Sequence, residues 1–186
     1  MHGHSLLINL IRNKDLTNKT LIEIGSSRAG EESDSSGEFY KLSKIKKFNF
    51  TTVDMDNLNV QALKNQYEGI NAIHMKGEDF LKNFNEKIDF LYLDAFDYEY
   101  DRHSEKRINR YKEELNCEIK NNLCHQMHLD CVINSYQKIA SDGIIVFDDV
   151  MDNFKSGKGV TAVPFLLNNG FKILYKHEIC CAFVRA

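Results

Sequence analysis

Phe171-Lys172-Ile173-Leu174-Tyr175 and Ile179-Cys180-Cys181-Ala182-Phe183-Val184 are two strand-forming runs separated by a short polar turn. The turn leaves no room for a crossover helix, so the two runs must pair as an antiparallel hairpin. Upstream the pattern changes. Apolar runs at 20–25, 48–54, 70–75, 88–94 and 143–148 alternate with helical periodicities at 36–46, 59–67, 78–84, 119–140 and 159–168, after a short amphipathic helix at 4–13. Phe39, Leu42 and Ile45 share one face of the helix at 36–46, and serines stand ready to cap its start.

Strands written as continuous apolar runs are buried on both faces, as in a parallel sheet flanked by helices. The expected fold is α/β: a Rossmann-like, seven-stranded, mostly parallel sheet with helices on both faces and a C-terminal antiparallel hairpin. The chain has 186 residues, 42% of them hydrophobic, which suits one domain over 1–186. It has one proline, Pro164, and its loose segments are 26–35, 95–122 and 150–158.

A net charge of −3 gives no bulk attraction to nucleic acid. No stretch approaches the roughly 18 apolar residues of a membrane span. The run Leu6–Ile11 is too short for a signal peptide, so a cytoplasmic protein is expected. Cys117, Cys124, Cys131, Cys180 and Cys181 show no Cys-x-x-Cys spacing and read as reduced thiols. A zinc site from Cys124, His125 and His128 would lack a second ligand cluster.

In doubly wound sheets, ligands bind beyond the carboxyl ends of the strands. The first strand ends Leu21-Ile22-Glu23-Ile24-Gly25 and runs on into Ser26-Ser27-Arg28-Ala29-Gly30. Ser27 stands where a dinucleotide fingerprint has its second glycine, and Glu23 would repel a phosphate while attracting an ammonium group. The second strand ends Asp54-Met55-Asp56, where an acid can accept both hydroxyls of a ribose. After the third comes Gly77-Glu78-Asp79, near enough to meet an adenine amino group. Each acid alone could be a helix cap or turn former; the ordered set is the stronger signal.

These pieces, with Leu91-Tyr92-Leu93-Asp94 and Gly143-Ile-Ile-Val-Phe-Asp-Asp149, resemble class I S-adenosylmethionine-dependent methyltransferases along nearly the whole chain. The last two most resemble the metal-dependent small-molecule O-methyltransferases. The resemblance implies that Glu23, Gly25, Ser27 and Ser36 line the methionine part of the cofactor. It places Asp54 and Met55 at ribose and adenine, Glu78 and Asp79 at the adenine edge, and Asp94, Asp148 and Asp149 as metal ligands. The sequence departs from that pattern in an acidic first loop (Glu31, Glu32, Asp34) and in lacking a long N-terminal helical segment over the substrate.

The acidic site also has a rationale of its own. Strands four and five are neighbours in this topology, so Asp94, Asp148 and Asp149 crowd together and repel unless protons, cations or water compensate. A hard divalent cation answers this, Mg²⁺ first and Mn²⁺ or Ca²⁺ next. It would lower the pKa of a substrate hydroxyl and align it with the methyl donor. Alternatively Asp148 and Asp149 only cap a loop, and Asp94 meets the cofactor without metal. For a general base, Asp97 comes first; His125 and His128, three apart on a helix, are alternatives to it, or else pack under the insertion.

Segment 95–122 carries no apolar run and reads as a substrate lid. Its Phe96, Tyr98, Tyr100 and Tyr111 are interleaved with Arg102, His103, Lys106, Arg107, Arg110 and Lys112. His103, Arg107 and Arg110 could grip a phosphate or carboxylate of a small-molecule substrate, although Asp101, Glu105, Glu113 and Glu114 favour a solvated helix. A homo-oligomer is allowed. Two other functions compete: a non-catalytic cofactor-binding module of the same fold, and an NAD-linked oxidoreductase, which the broken fingerprint and terminal hairpin disfavour.

Overall fold

Element boundaries follow the apolar periodicity closely. The computed structural model describes residues 1–28 and 34–186. In chain order the elements are α1 (Gly3–Ile11), β1 (Thr20–Ile24), α2 (Ser35–Lys46), β2 (Asn49–Asp54), α3 (Asn57–Gln66), β3 (Ala72–His74), α4 (Gly77–Asn83) and β4 (Ile88–Leu93). There follow α5 (Glu105–Asn109), α6 (Asn121–Ser135), β5 (Ile139–Phe147), β6 (Val150–Met151), β7 (Ser156–Gly157), α7 (Ala162–Asn168), β8 (Phe171–Lys176) and β9 (Cys181–Arg185).

The main sheet has seven strands in the order β3-β2-β1-β4-β5-β9-β8. The first five run parallel. β9 is antiparallel to both β5 and β8, so the expected hairpin inserts its second strand beside β5 and leaves β8 at the edge. Alternate side chains feed two apolar layers. One face sends Ile22, Ile24, Leu91, Leu93, Ile145 and Phe147 against Leu81, Cys131, Val132 and Val163 of α4, α6 and α7. The other sends Leu21, Phe90, Tyr92 and Val146 against Leu6, Leu7, Phe39 and Val60 of α1, α2 and α3.

Strand order reverses between β1 and β4, and the crevice opens at their carboxyl ends. Gly25 makes this junction possible. Its φ is +92°, and a Cβ there would lie 2.6 Å from the Ala95 Cα, so the turns after β1 and β4 touch only because it is glycine.

Three details differ from expectation. α6 stops at Ser135, because β5 starts at Ile139, earlier than the apolar run at 143 suggests. The helix of segment 95–122 is α5 followed by one π-helical turn, Arg110–Glu114, where the Leu115 N–H reaches back to the Arg110 carbonyl (3.1 Å). The loose segment 150–158 is a small ribbon of β6 and β7. All five cysteines are free thiols, and among the described residues no helix is long and apolar enough to cross a membrane.

Candidate active site

Glu23 is fully buried, and its carboxylate accepts hydrogen bonds from the Ser35 and Ser36 hydroxyls, both at 2.6 Å. Burial raises its pKa to about 7 against those hydrogen bonds. Ser27 and Ser36 exchange backbone-to-hydroxyl hydrogen bonds of 2.9 and 2.8 Å. Asp34 caps α2 by accepting from the Gly37 N–H at 2.9 Å. Glu23, Ser27 and Ser36 thus form a hydrogen-bonded scaffold between the end of β1 and the start of α2 rather than the wall of the crevice. Glu31 and Glu32 lie outside the described residues.

In front of this scaffold lies a cavity of about 280 Å³, lined at the strand ends by Ile24, Gly25, Ser26, Val53, Asp54, Met55, Glu78 and Asp94. The Asp54 Oδ2 accepts from the Ser26 N–H (3.1 Å), the Ser26 hydroxyl (2.9 Å) and the Asn59 amide (3.3 Å). Its Oδ1 accepts from the Asp56 N–H at 2.7 Å. Burial raises the pKa of Asp54, and burial likewise raises that of Glu78. Asp79, exposed on α4, is not part of the wall.

Beside the cavity two of the three carboxylates of the expected metal site converge, on a side chain absent from the sequence reading. Lys158, 3% exposed, places its ammonium between Asp94 and Asp149, 2.9 Å from the Asp149 carboxylate and in contact with that of Asp94. The paired carboxylates hold its pKa well above the ordinary lysine value despite burial. Asp148 turns away, accepting from the Gly3 N–H (3.0 Å) and the Asp149 N–H (3.0 Å). Tyr92 Oη lies 3.0 Å from carboxylate oxygens of both Asp94 and Asp148. One phenolic proton cannot serve two carboxylates, and burial followed by the charge of Asp94 raises the Asp148 pKa. The triad is therefore corrected: among the described residues no group of three or more His, Cys, Asp or Glu is placed to hold a metal ion.

No protein-family model matches the sequence, and no curated protein matches it. Solved structures do match. SMU.1697c of Streptococcus mutans, in complex with S-adenosylhomocysteine, is 9% identical with a TM-score of 0.62, over 100% of this chain and 99% of that one. The precorrin-6y C5,15-methyltransferase of Geobacter metallireducens is 9% identical with a TM-score of 0.60, over 98% and 87%. MycE of the mycinamycin pathway, in complex with Mg, S-adenosylhomocysteine and mycinamycin VI, is 8% identical with a TM-score of 0.60, over 98% and 49%. The fold is that of the class I methyltransferases.

On this fold the insertion is neither a free anion grip nor a solvated helix. Its arginines are occupied by carboxylates of the domain itself. Arg110 grips Asp56 with two hydrogen bonds of 2.7 and 2.5 Å. Arg107 bonds Asp97 at 2.6 Å, and Arg28 closes on the same carboxylate. His103 meets the Tyr98 carbonyl (2.8 Å) and Arg102 pairs with Glu99. Burial would raise the Asp97 pKa, but Arg28 and Arg107 outweigh it and hold it below the usual carboxylate range. That is a strap across the cavity mouth, not the environment of a general base.

The histidines are also displaced. α6 turns Leu123, Gln126, Met127 and Asp130 to the cavity, so His125 and His128 are not in the wall. His128 is buried, hydrogen-bonds the Cys124 carbonyl through Nδ1 (2.8 Å) and packs on Phe147. Burial pushes its pKa down to about 3, and its Nε2 has no hydrogen-bond partner among the described residues. The i, i+3, i+4, i+7 spacing of 123, 126, 127 and 130 was a legible signal of a shared face. Lys158, inside Gly157-Lys158-Gly159, carried no periodic signal.

Proposed function

We propose that the chain is an S-adenosylmethionine-dependent methyltransferase acting on an oxygen of a small metabolite or sugar. The observation that carries this reading is the Asp54 carboxylate in the wall of a cavity at the carboxyl ends of β1, β2 and β4, on a sheet closed by the antiparallel hairpin. The residues fit such a cofactor. Among the described residues Asp54 Oδ1 takes a single protein donor and retains acceptor capacity for a ribose hydroxyl. Ile24, Val53, Met55, Phe96 and Met127 offer apolar walls to a flat base, with Glu78 beside them as an acceptor.

When bound, the sulfonium supplies an activated methyl group. Also in the cavity wall, Asp94, anchored by Lys158, can accept the hydrogen bond of an acceptor hydroxyl and fix it for in-line attack. Arg107, Tyr111, Leu115, Asn116 and Cys117 of the strap 105–117 also line the cavity, which suits a small acceptor. Mg²⁺, Mn²⁺ or Ca²⁺ at Asp94, Asp148 and Asp149 does not fit the residues present, because two of the carboxylates are drawn onto an ammonium and each oxygen of the third already accepts from a backbone N–H, Gly3 on one and Asp149 on the other. The buried free thiols suit a reducing cytoplasm.

Calorimetric titration with S-adenosylmethionine tests the binding, and mass-spectrometric screening of metabolite extracts for a gain of one methyl group tests the transfer. Binding without transfer to any metabolite would favour the non-catalytic module; nicotinamide-cofactor binding in its place would favour the oxidoreductase.

A further inference from the structure

We propose that the Lys158 ammonium is a permanent internal counter-ion that takes the place of a divalent cation in the acidic site, so that removing it creates a metal site. The inference concerns charge and geometry and does not depend on methyl transfer.

The backbone is built to deliver this one side chain. β6 and β7 pair over two residues each, Val150 with Gly157 and Met151 with Ser156. Gly157 has φ +81°, and a Cβ there would overlap the Asp149 carbonyl oxygen, so no other residue lets the ribbon close this tightly. The Lys158 N–H then donates to the Asp149 carbonyl at 2.8 Å, fixing the residue beside the carboxylates it serves.

At the far end, the donors of the ammonium are all taken. Nζ contacts the Asp94 carboxylate, lies 3.3 Å from the Asp94 carbonyl and lies 2.9 Å from the Asp149 carboxylate. An ammonium has three N–H groups and three acceptors are in place, so the cation is held by the protein alone. A buried lysine is tolerated only when paired in this way. A divalent ion coordinated by Asp94 and Asp149 would have to occupy the same space and sit against a positive charge. It would also need oxygen ligands at roughly 2.0–2.6 Å, and Asp148 is already committed to Gly3, Tyr92 and Asp149.

The experiment is Mn²⁺ titration of the wild-type protein and of Lys158→Ala, followed by the paramagnetic resonance signal of free Mn²⁺ and by thermal melting. The wild type is expected to show no saturable site and no Mn²⁺-dependent rise in melting temperature. Lys158→Ala is expected to bind one Mn²⁺ at least about tenfold more tightly than wild type and to be stabilised by it, and Asp149→Asn in that background to lose the ion. One equivalent of Mn²⁺ bound to wild type and lost on Asp149→Asn overturns the proposal. A folded Lys158→Ala that gains no Mn²⁺ affinity overturns it equally. Should that variant not fold, the wild-type titration decides alone, and the variant neutral at all three positions (Lys158→Met, Asp94→Asn, Asp149→Asn) is expected to fold, because no charge is left unpaired. Collapse of that triple variant would show that the lysine is not there to balance the two carboxylates.

Discussion

Replacing Glu23 by Gln should stabilise the protein, and by an amount that grows with pH. The Glu23 carboxylate is fully buried, with a pKa raised by burial from 4.5 to about 7. Between these values the native state holds a proton that the unfolded chain has released. The native state therefore binds more protons, and stability falls as pH rises through this window. The full effect is 7 − 4.5 = 2.5 pH units, which at roughly 1.36 kcal/mol each comes to about 3 kcal/mol. It is absent below pH 4.5 and complete above pH 7. Glutamine has nearly the same shape, and the Ser35 and Ser36 hydroxyls can each donate to its oxygen or accept from its amide. Urea unfolding of wild type and Glu23→Gln at several pH values gives a difference in which the other titrating groups cancel. That difference should climb by about 1.4 kcal/mol per pH unit from pH 5 to 7 and then level off. A flat difference across this range would refute the argument that burial dominates at Glu23.

Four further outcomes follow from the geometry. Asp54→Ala should weaken S-adenosylmethionine binding by roughly 10- to 100-fold in calorimetry, since a charge-assisted hydrogen bond contributes about 1.5–3 kcal/mol. Gly25→Ala should lose roughly 1–3 kcal/mol of stability in urea through its positive φ, and also cofactor affinity, because the turns after β1 and β4 must separate. Arg110→Ala should lose about 3 kcal/mol by leaving Asp56 buried without its partner, with proteolysis appearing first in 105–117; resistance equal to wild type would remove the strap. His125→Ala and Asp97→Asn should keep the ascending, acidic limb of the pH–rate profile once a substrate is found, since neither group is placed as the base. Loss of that limb in either variant would restore it to the reaction.

The sheet was readable because its signals are local. A continuous apolar run reports burial on both faces wherever it occurs, and a hairpin with no room for a helix between its strands has one way to pair. The acid after β2 was readable for the same reason, since a residue at a strand's carboxyl end in this topology faces the crevice. The polar interior was not. Glu78 lines the cavity while the adjacent Asp79 does not, a difference set by the rotation of α4 on β1 and not by residue type. His125 and His128 share a helix with the lining residues but point elsewhere, His128 onto buried Phe147 and His125 toward a half-exposed flank.

Sequence alone determined the α/β architecture, the closing hairpin and the ordered acids beyond the strands, since each depends on residues within a few positions of one another. Tertiary structure decided the charge partners. Arg110 and Asp56 stand 54 residues apart, and Lys158 and Asp94 stand 64 apart. No periodicity connects such residues. A buried carboxylate takes whichever cation the folded chain brings within reach, and only the packed fold fixes which one that is.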